Sequence, residues 1–182
     1  MKGNEAAYKT SYLAELPTRR DSVVDGINVS EMLNFLEGEM DCHATTNARL
    51  TGASGAIHSF DIVAKRGFET ISVGFFQDRV SILDSPVAAD DSSEKLLVET
   101  IKLGVKAMDC GSNLSFLVRL SSYLVNNAAS AGDPDGSNTD PRLRDVLERF
   151  NVKLIEASDI ETASRKLKKM LTAVDFSYAY KV

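Results

Sequence analysis

The segment from Gly52 to Ala64, Gly-Ala-Ser-Gly-Ala-Ile-His-Ser-Phe-Asp-Ile-Val-Ala, constrains this chain more than any other. Two glycines let the backbone turn tightly. The apolar run behind them has the length and composition of a strand. One histidine, His58, and one aspartate, Asp61, sit on that strand. Lys65-Arg66-Gly67 then reads as a tight turn into a second apolar run, Ile71-Ser-Val-Gly-Phe-Phe76. The two runs are expected to pair as a hairpin.

Around this hairpin the chain alternates between two periodicities. Residues 29–41 read as a helix, with Ser30 as N-cap and an apolar stripe of Met32, Leu33, Phe35, Leu36 and Met40. Residues 43–50 suit a strand leading into the glycine turn, and 79–83 a short further strand. The acidic, small-residue stretch 84–93 reads as loop. Residues 94–108 form the clearest helix, with Leu96, Leu97, Ile101, Val105 and Met108 at helical spacing. Gly111 ends it. A strand is expected over 114–120, a helix over 121–131, and a surface loop over 132–140. A short helix over 142–150, a strand over 152–156 and a helix over 159–171 follow, the last capped by Asp159 with Lys168 and Lys169 near its end. Residues 176–180 alternate as an edge strand would. The fold class is α/β: a mixed central β-sheet flanked by helices, antiparallel in its first half and parallel in its second. Residues 1–28 read as a loosely ordered N-terminal arm and 29–182 as the domain.

Composition narrows the function classes. A net charge of -5 is unlike a strongly basic nucleic-acid protein, although a local basic face is compatible with it. Cys42 and Cys110 are too few and too far apart for a zinc site or a disulfide framework, and read as reduced thiols. No apolar run approaches the ~18 residues of a membrane span. A cytoplasmic protein with no membrane contact is the expectation.

The Gly-x-Ser-Gly-x-x-His-x-Phe-Asp segment, carried by Gly52, Ser54, Gly55, His58, Phe60 and Asp61, resembles the PD-(D/E)xK restriction-endonuclease-like superfamily. The resemblance covers roughly residues 29 to 172, including the later helix-strand-helix-strand-helix order. It implies a restriction-endonuclease-like fold. It also implies that Asp61 stands where the family places an aspartate on the second core strand. There, with an acidic residue on the third strand, it holds a divalent metal, and a lysine two positions after that acid activates water. Hard oxygen ligands suit Mg²⁺ or Mn²⁺, and the metal stabilises charge on the phosphate. In this chain the acid and lysine positions align with Gly74 and Phe76. That departure removes the pattern's second acid and its lysine.

Replacement groups can be named. Lys65 lies four residues after Asp61, on the same face of a regular strand but roughly 13 Å away. Glu37 and Glu39 on the first helix, and Gln77 and Asp78 past the third strand, are further candidates. His58, three residues before Asp61, falls on the opposite strand face. It either binds a phosphate or fixes the strand entry. Ser54 and Gly55 either offer a phosphate-binding turn or simply join two strands. Lys102 with Lys106, and Arg165, Lys166, Lys168 and Lys169, are candidates for phosphate contact or ordinary solvated faces.

Three functions follow as expectations. The first is a catalytically inactive nuclease-like domain that binds nucleic acid, DNA or RNA, or another protein, and needs no cofactor. The second is a metal-dependent nuclease with migrated ligands: Asp61 as metal ligand and catalytic acid group, with Glu39 and Lys65. The third is a structural or regulatory module whose partner is a protein or a second copy of this chain.

Overall fold

The computed structural model describes residues 23–77, 88–121 and 140–173, with side chains from residue 93 onward in the second stretch. Its element order is β1 (Val23–Val24), β2 (Ile27–Asn28), α1 (Ser30–Gly38), β3 (His43–Thr51), β4 (Ile57–Arg66), β5 (Glu69–Gln77), α2 (Ala88–Asp109), β6 (Leu114–Leu120), α3 (Pro141–Arg149), β7 (Val152–Ala157) and α4 (Ile160–Ala173). Strands β3 to β7 form one five-stranded sheet in sequence order. The β3–β4 and β4–β5 pairs are antiparallel; β5–β6 and β6–β7 are parallel. This is the mixed α/β architecture that the alternating periodicities predict.

The sheet separates two apolar layers. On one side Met32, Phe35 and Leu36 of α1 and Ala163, Leu167 and Leu171 of α4 pack with Ile62, Ile71, Val73, Phe116 and Ile155. On the other, Leu96 and Leu103 of α2 and Leu143 of α3 pack with Phe60, Val63, Leu117 and Val152. Removing each large side chain from water contributes about 1.5–3 kcal/mol.

Several local expectations change. Val29, not Ser30, is the N-cap of α1 and makes no side-chain cap bond. Instead the Ser30 N–H donates to Asn28 Oδ1 at 3.1 Å. Helix α2 begins at Ala88, inside the stretch read as loop. Acidic residues favour the first turn of a helix through its dipole, so that composition fits either state. The apolar stripe of α2 is also different. Leu96, Leu103 and Ala107 are buried, whereas Ile101, Val105 and Met108 are 37%, 50% and 64% exposed. The helix is apolar on two faces, and periodicity cannot say which one meets the sheet. The cap of α4 is as the sequence implies, Asp159 accepting from the Thr162 N–H at 2.7 Å; α3 is capped in turn by Asp140, the end of the stretch read as loop, which accepts from the Arg142 N–H at 2.9 Å.

Of the arm expected over 1–28, the part from Val23 to Asn28 is a hairpin. Its Val24 and Ile27 enter the α1 layer. Residues 1–22, the strand expected over 79–83, most of the helix expected over 121–131, the loop over 132–139 and the tail strand over 176–180 lie outside the described residues.

One irregularity positions the site. Asn47 in β3 has φ 49°, and it lies between the β3–β4 partners Thr46↔Ile62 and Ala48↔Phe60, across from Asp61. Ala44, Ile62 and Ala64 join the α1–α4 layer. Ala48 and Phe60, an even number of residues away on the same strands, join the α2–α3 layer. Strict alternation would keep them together. The strand pair therefore rotates at Asn47 and Asp61, and the side-chain set that faces the α1–α4 layer before the rotation faces the α2–α3 layer after it.

Candidate functional site

Asp61 sits where β4 leaves β5. The β4–β5 register runs from Arg66↔Glu69 to Ile62↔Val73. Just beyond the end of that register, the Phe75 N–H donates to Asp61 Oδ2 at 2.6 Å. The side chain thus supplies an acceptor where the backbone ladder has parted, meeting the requirement that a partly buried N–H be paired. Burial pushes the Asp61 carboxyl above its ordinary range. The Phe75 N–H and the Lys106 ammonium oppose that rise, and the neighbouring charges of Asp25 and Glu99 add to it.

These groups line one polar pocket of about 180 Å³, walled by Asp25, Asp61, Gly74, Glu99, Lys102 and Lys106 among others. Helix α2 supplies Glu99, Lys102 and Lys106 at i, i+3 and i+7, a single helical face. Lys102 Nζ donates to Glu99 Oε1 at 2.6 Å, and Lys106 Nζ to the Ser59 carbonyl at 3.3 Å. A Cβ added at Gly74 would contact Leu103 and Leu117 at 3.4–3.6 Å. Position 74 therefore faces this pocket from β5. Phe76, two residues on, packs into the same α2 layer, while Phe75 packs into the other.

The migrated-ligand expectation needs correction at two residues. Glu39 lies at the end of α1, where Lys168 Nζ of α4 donates to its Oε1 at 2.6 Å. The Lys168 ammonium also stands 5.5 Å from the Phe35 ring centre. Both belong to the α1–α4 side of the sheet, so the sheet itself separates Glu39 from the Asp61 pocket. It also gives Lys168 a packing role in place of a helix-terminal one. Lys65 lies farther along β4, paired with His43 and Thr70, where its charge acts on the Cys110 thiol. The lysines beside Asp61 come from α2 instead. Asp25 and Glu99 had no local signal in the sequence, since nothing marks which exposed acids a fold will gather.

Mg²⁺ or Mn²⁺ would need converging oxygen ligands. Asp61 has one oxygen committed to Phe75, and Glu99 is paired with Lys102. Among the described residues no three His, Cys, Asp or Glu side chains are grouped to hold a metal ion. The residues present do not fit the metal centre that the resemblance implies.

The glycine turn has a different partner, Asp109, the last residue of α2. Ser54 donates its N–H to Asp109 Oδ1 at 2.9 Å and its hydroxyl to Oδ2 at 2.6 Å. His58 Nε2 lies 2.6 Å from the same Oδ2 and acts as donor, because a carboxylate only accepts. The Ala53 N–H donates to the Asp109 carbonyl at 2.8 Å. A carboxylate at a helix C-terminus opposes the helix dipole, and this set of donors offsets that. The Ser54 hydroxyl, His58 and the Ser54 N–H together hold Asp109 down to about 2. A Cβ at Gly52 would collide with the Asp109 carboxylate. Gly55 takes φ 84° to close the turn. The donors that could have met a phosphate are thus turned on the chain's own carboxylate. His58 and Asp61 both reach α2, contrary to the opposite faces expected of a regular strand, because the strand pair rotates between them. Cys42 is buried and Cys110 half-buried, both free thiols.

Among the described residues, no helix is long and apolar enough to cross a membrane. No family model matches the chain, and no curated protein does. Among solved structures, the chain is similar to the crystal structure of a protein of unknown function, AF1548. The two share 13% identity, with a TM-score of 0.45, over 82% of this chain and 72% of that one.

Proposed function

We propose that this protein is a restriction-endonuclease-like domain of the cytoplasm that binds nucleic acid without cutting it. One observation carries the reading: of the two positions where the resemblance calls for an acid and a lysine, 74 is a glycine lining the Asp61 pocket and 76 is a phenylalanine packed into the adjoining α2 layer. The carboxylate that remains serves as a strand-pairing acceptor. Lys102 and Lys106 keep positive charge at the pocket, which suits a phosphate backbone held without hydrolysis.

A second reading has its own support. Asp25, Asp61 and Glu99 gather at one partly buried pocket with two lysines. Like charges crowded into a pocket do not stabilise a fold, and such clusters concentrate at reactive sites. Phosphodiester hydrolysis with helix-supplied groups is the activity this arrangement would serve.

One assay decides between them. Single- and double-stranded DNA and RNA are incubated with Mg²⁺ or Mn²⁺ and the wild type or Asp61→Asn. The first reading expects no cleavage by either protein, and binding at low salt that persists in EDTA. Metal-dependent cutting that Asp61→Asn abolishes would replace it with the second.

A further inference from the structure

Beside the Asp61 pocket, and sharing Phe75, Glu99 and Lys102 with it, lies a larger groove of about 480 Å³. Its walls are the end of β5, with Phe76 and Gln77, and the outer face of α2, with Glu94, Val98 and Lys102. The volume is that of a small-ligand site. Phe76 is half-buried and stands where the resemblance calls for a lysine, so the replacement exchanges a charge for an aromatic face at the mouth of the old site. Aromatic faces beside lysines are how sequence-tolerant single-strand binders hold bases and backbone together.

The lysines are spaced for this. Lys102 and Lys106 lie one helical turn apart, about 6 Å along the axis, on the order of one extended nucleotide step. The Lys102–Glu99 pair is solvent-accessible, with side chains 56% and 42% exposed. Such a pair is weak and opens readily to a competing anion. The acids decide the type of nucleic acid. Glu94, Glu99 and Asp61 subtract from the attraction for a duplex, whose affinity rests on dense phosphate contacts. Against an unpaired base the same carboxylates are useful acceptors for an exocyclic amine.

We propose that this groove seats an unpaired base of a single-stranded nucleic acid, stacked on Phe76, with the adjoining phosphates against Lys102 and Lys106. The inference rests on the nucleic-acid-binding reading above and gives it a strand form and a contact.

The test is fluorescence anisotropy in EDTA at low salt. The probes are a labelled oligothymidylate, an oligocytidylate and each strand annealed to its complement, with wild type, Phe76→Leu, Phe76→Trp and Lys106→Gln. The single strands are expected to bind more tightly than the duplexes. Phe76→Leu, which keeps apolar volume but loses the ring, should weaken single-strand binding about fivefold or more, whereas Phe76→Trp should retain it. Two phosphate contacts predict a salt slope of roughly -1.4, falling to about half in Lys106→Gln. Tighter duplex binding, or Phe76→Leu binding as wild type does, would overturn the groove assignment and leave the nucleic-acid reading standing. No binding of any probe would overturn both.

Discussion

At the scale of single residues, Asp61 and Asp109 are opposite uses of a carboxylate. Asp109 is held at about 2 by Ser54 and His58, against an ordinary 3.8. The folded protein therefore binds fewer protons than the unfolded chain between these values. The stabilisation is complete above pH 3.8 and is lost as the pH falls through 2. Urea midpoints of wild type and Asp109→Asn should differ most above pH 4 and converge toward pH 2; a constant gap would refute the assignment. Asp61 runs the other way. Burial raises it, so the folded state holds its proton longer and stability declines as the pH climbs from 3.8 through the raised value. Replacing Asp61 by alanine leaves the Phe75 N–H without its acceptor and should cost about 1–3 kcal/mol. Asp61→Asn, which retains an acceptor oxygen, should cost less. Equal losses in the two variants would argue against the strand-pairing role.

At the scale of elements, helix α2 is placed by contacts that its own sequence cannot announce. Gly104 stands in its interior, where glycine costs about 1 kcal/mol of helix stability relative to alanine. It is tolerated because Phe150, which follows α3, packs against that spot, and a Cβ there would overlap the Phe150 side chain. Gly104→Ala should therefore destabilise the protein by about 1–3 kcal/mol in urea denaturation, despite its better helix propensity. Gly38, at the end of α1, has nothing within 4 Å of an added Cβ. Gly38→Ala should be neutral or stabilising by up to about 1 kcal/mol. A stabilised Gly104→Ala would mean that α2 and α3 do not meet closely there. At its far end α2 is clamped by the glycine turn through Asp109, which fixes where Glu99, Lys102 and Lys106 stand relative to Asp61.

At the scale of the whole molecule, the sheet divides the core into two layers that share no cluster. Leu103 belongs to the α2–α3 layer and Leu167 to the α1–α4 layer. Each Leu→Ala change should cost about 2–5 kcal/mol. Because the two sites belong to separate clusters on opposite faces of the sheet, the double variant should lose the sum within about 0.5 kcal/mol. A departure above roughly 1 kcal/mol in equilibrium denaturation would show the layers coupled through the sheet. The division also accounts for the site. The residues that line the Asp61 pocket come from the β1–β2 turn, β4, β5, α2 and β6, and none comes from α1 or α4.

The sequence by itself determined the elements of the five-stranded sheet and its helices. Strand β4, strand β5, the glycine turn and the cap at Asp159 are local matters, governed by periodicity, turn chemistry and neighbouring hydrogen bonds. The closeness of Asp61 and Gly74 was also legible, because β4 and β5 form one hairpin. Tertiary structure decided the rest. It sent Glu39 to Lys168 on the far side of the sheet, left Lys65 beside Cys110, and brought Asp25, Glu99, Lys102 and Lys106 to Asp61. It also turned Ser54 and His58 onto Asp109, more than fifty residues away. The reason is physical. A side chain's face follows from strand alternation only while the strand stays regular, and the left-handed Asn47 ends that regularity opposite Asp61. Which of two apolar faces of α2 is buried depends on the surface it meets, and that surface exists only after the sheet has formed.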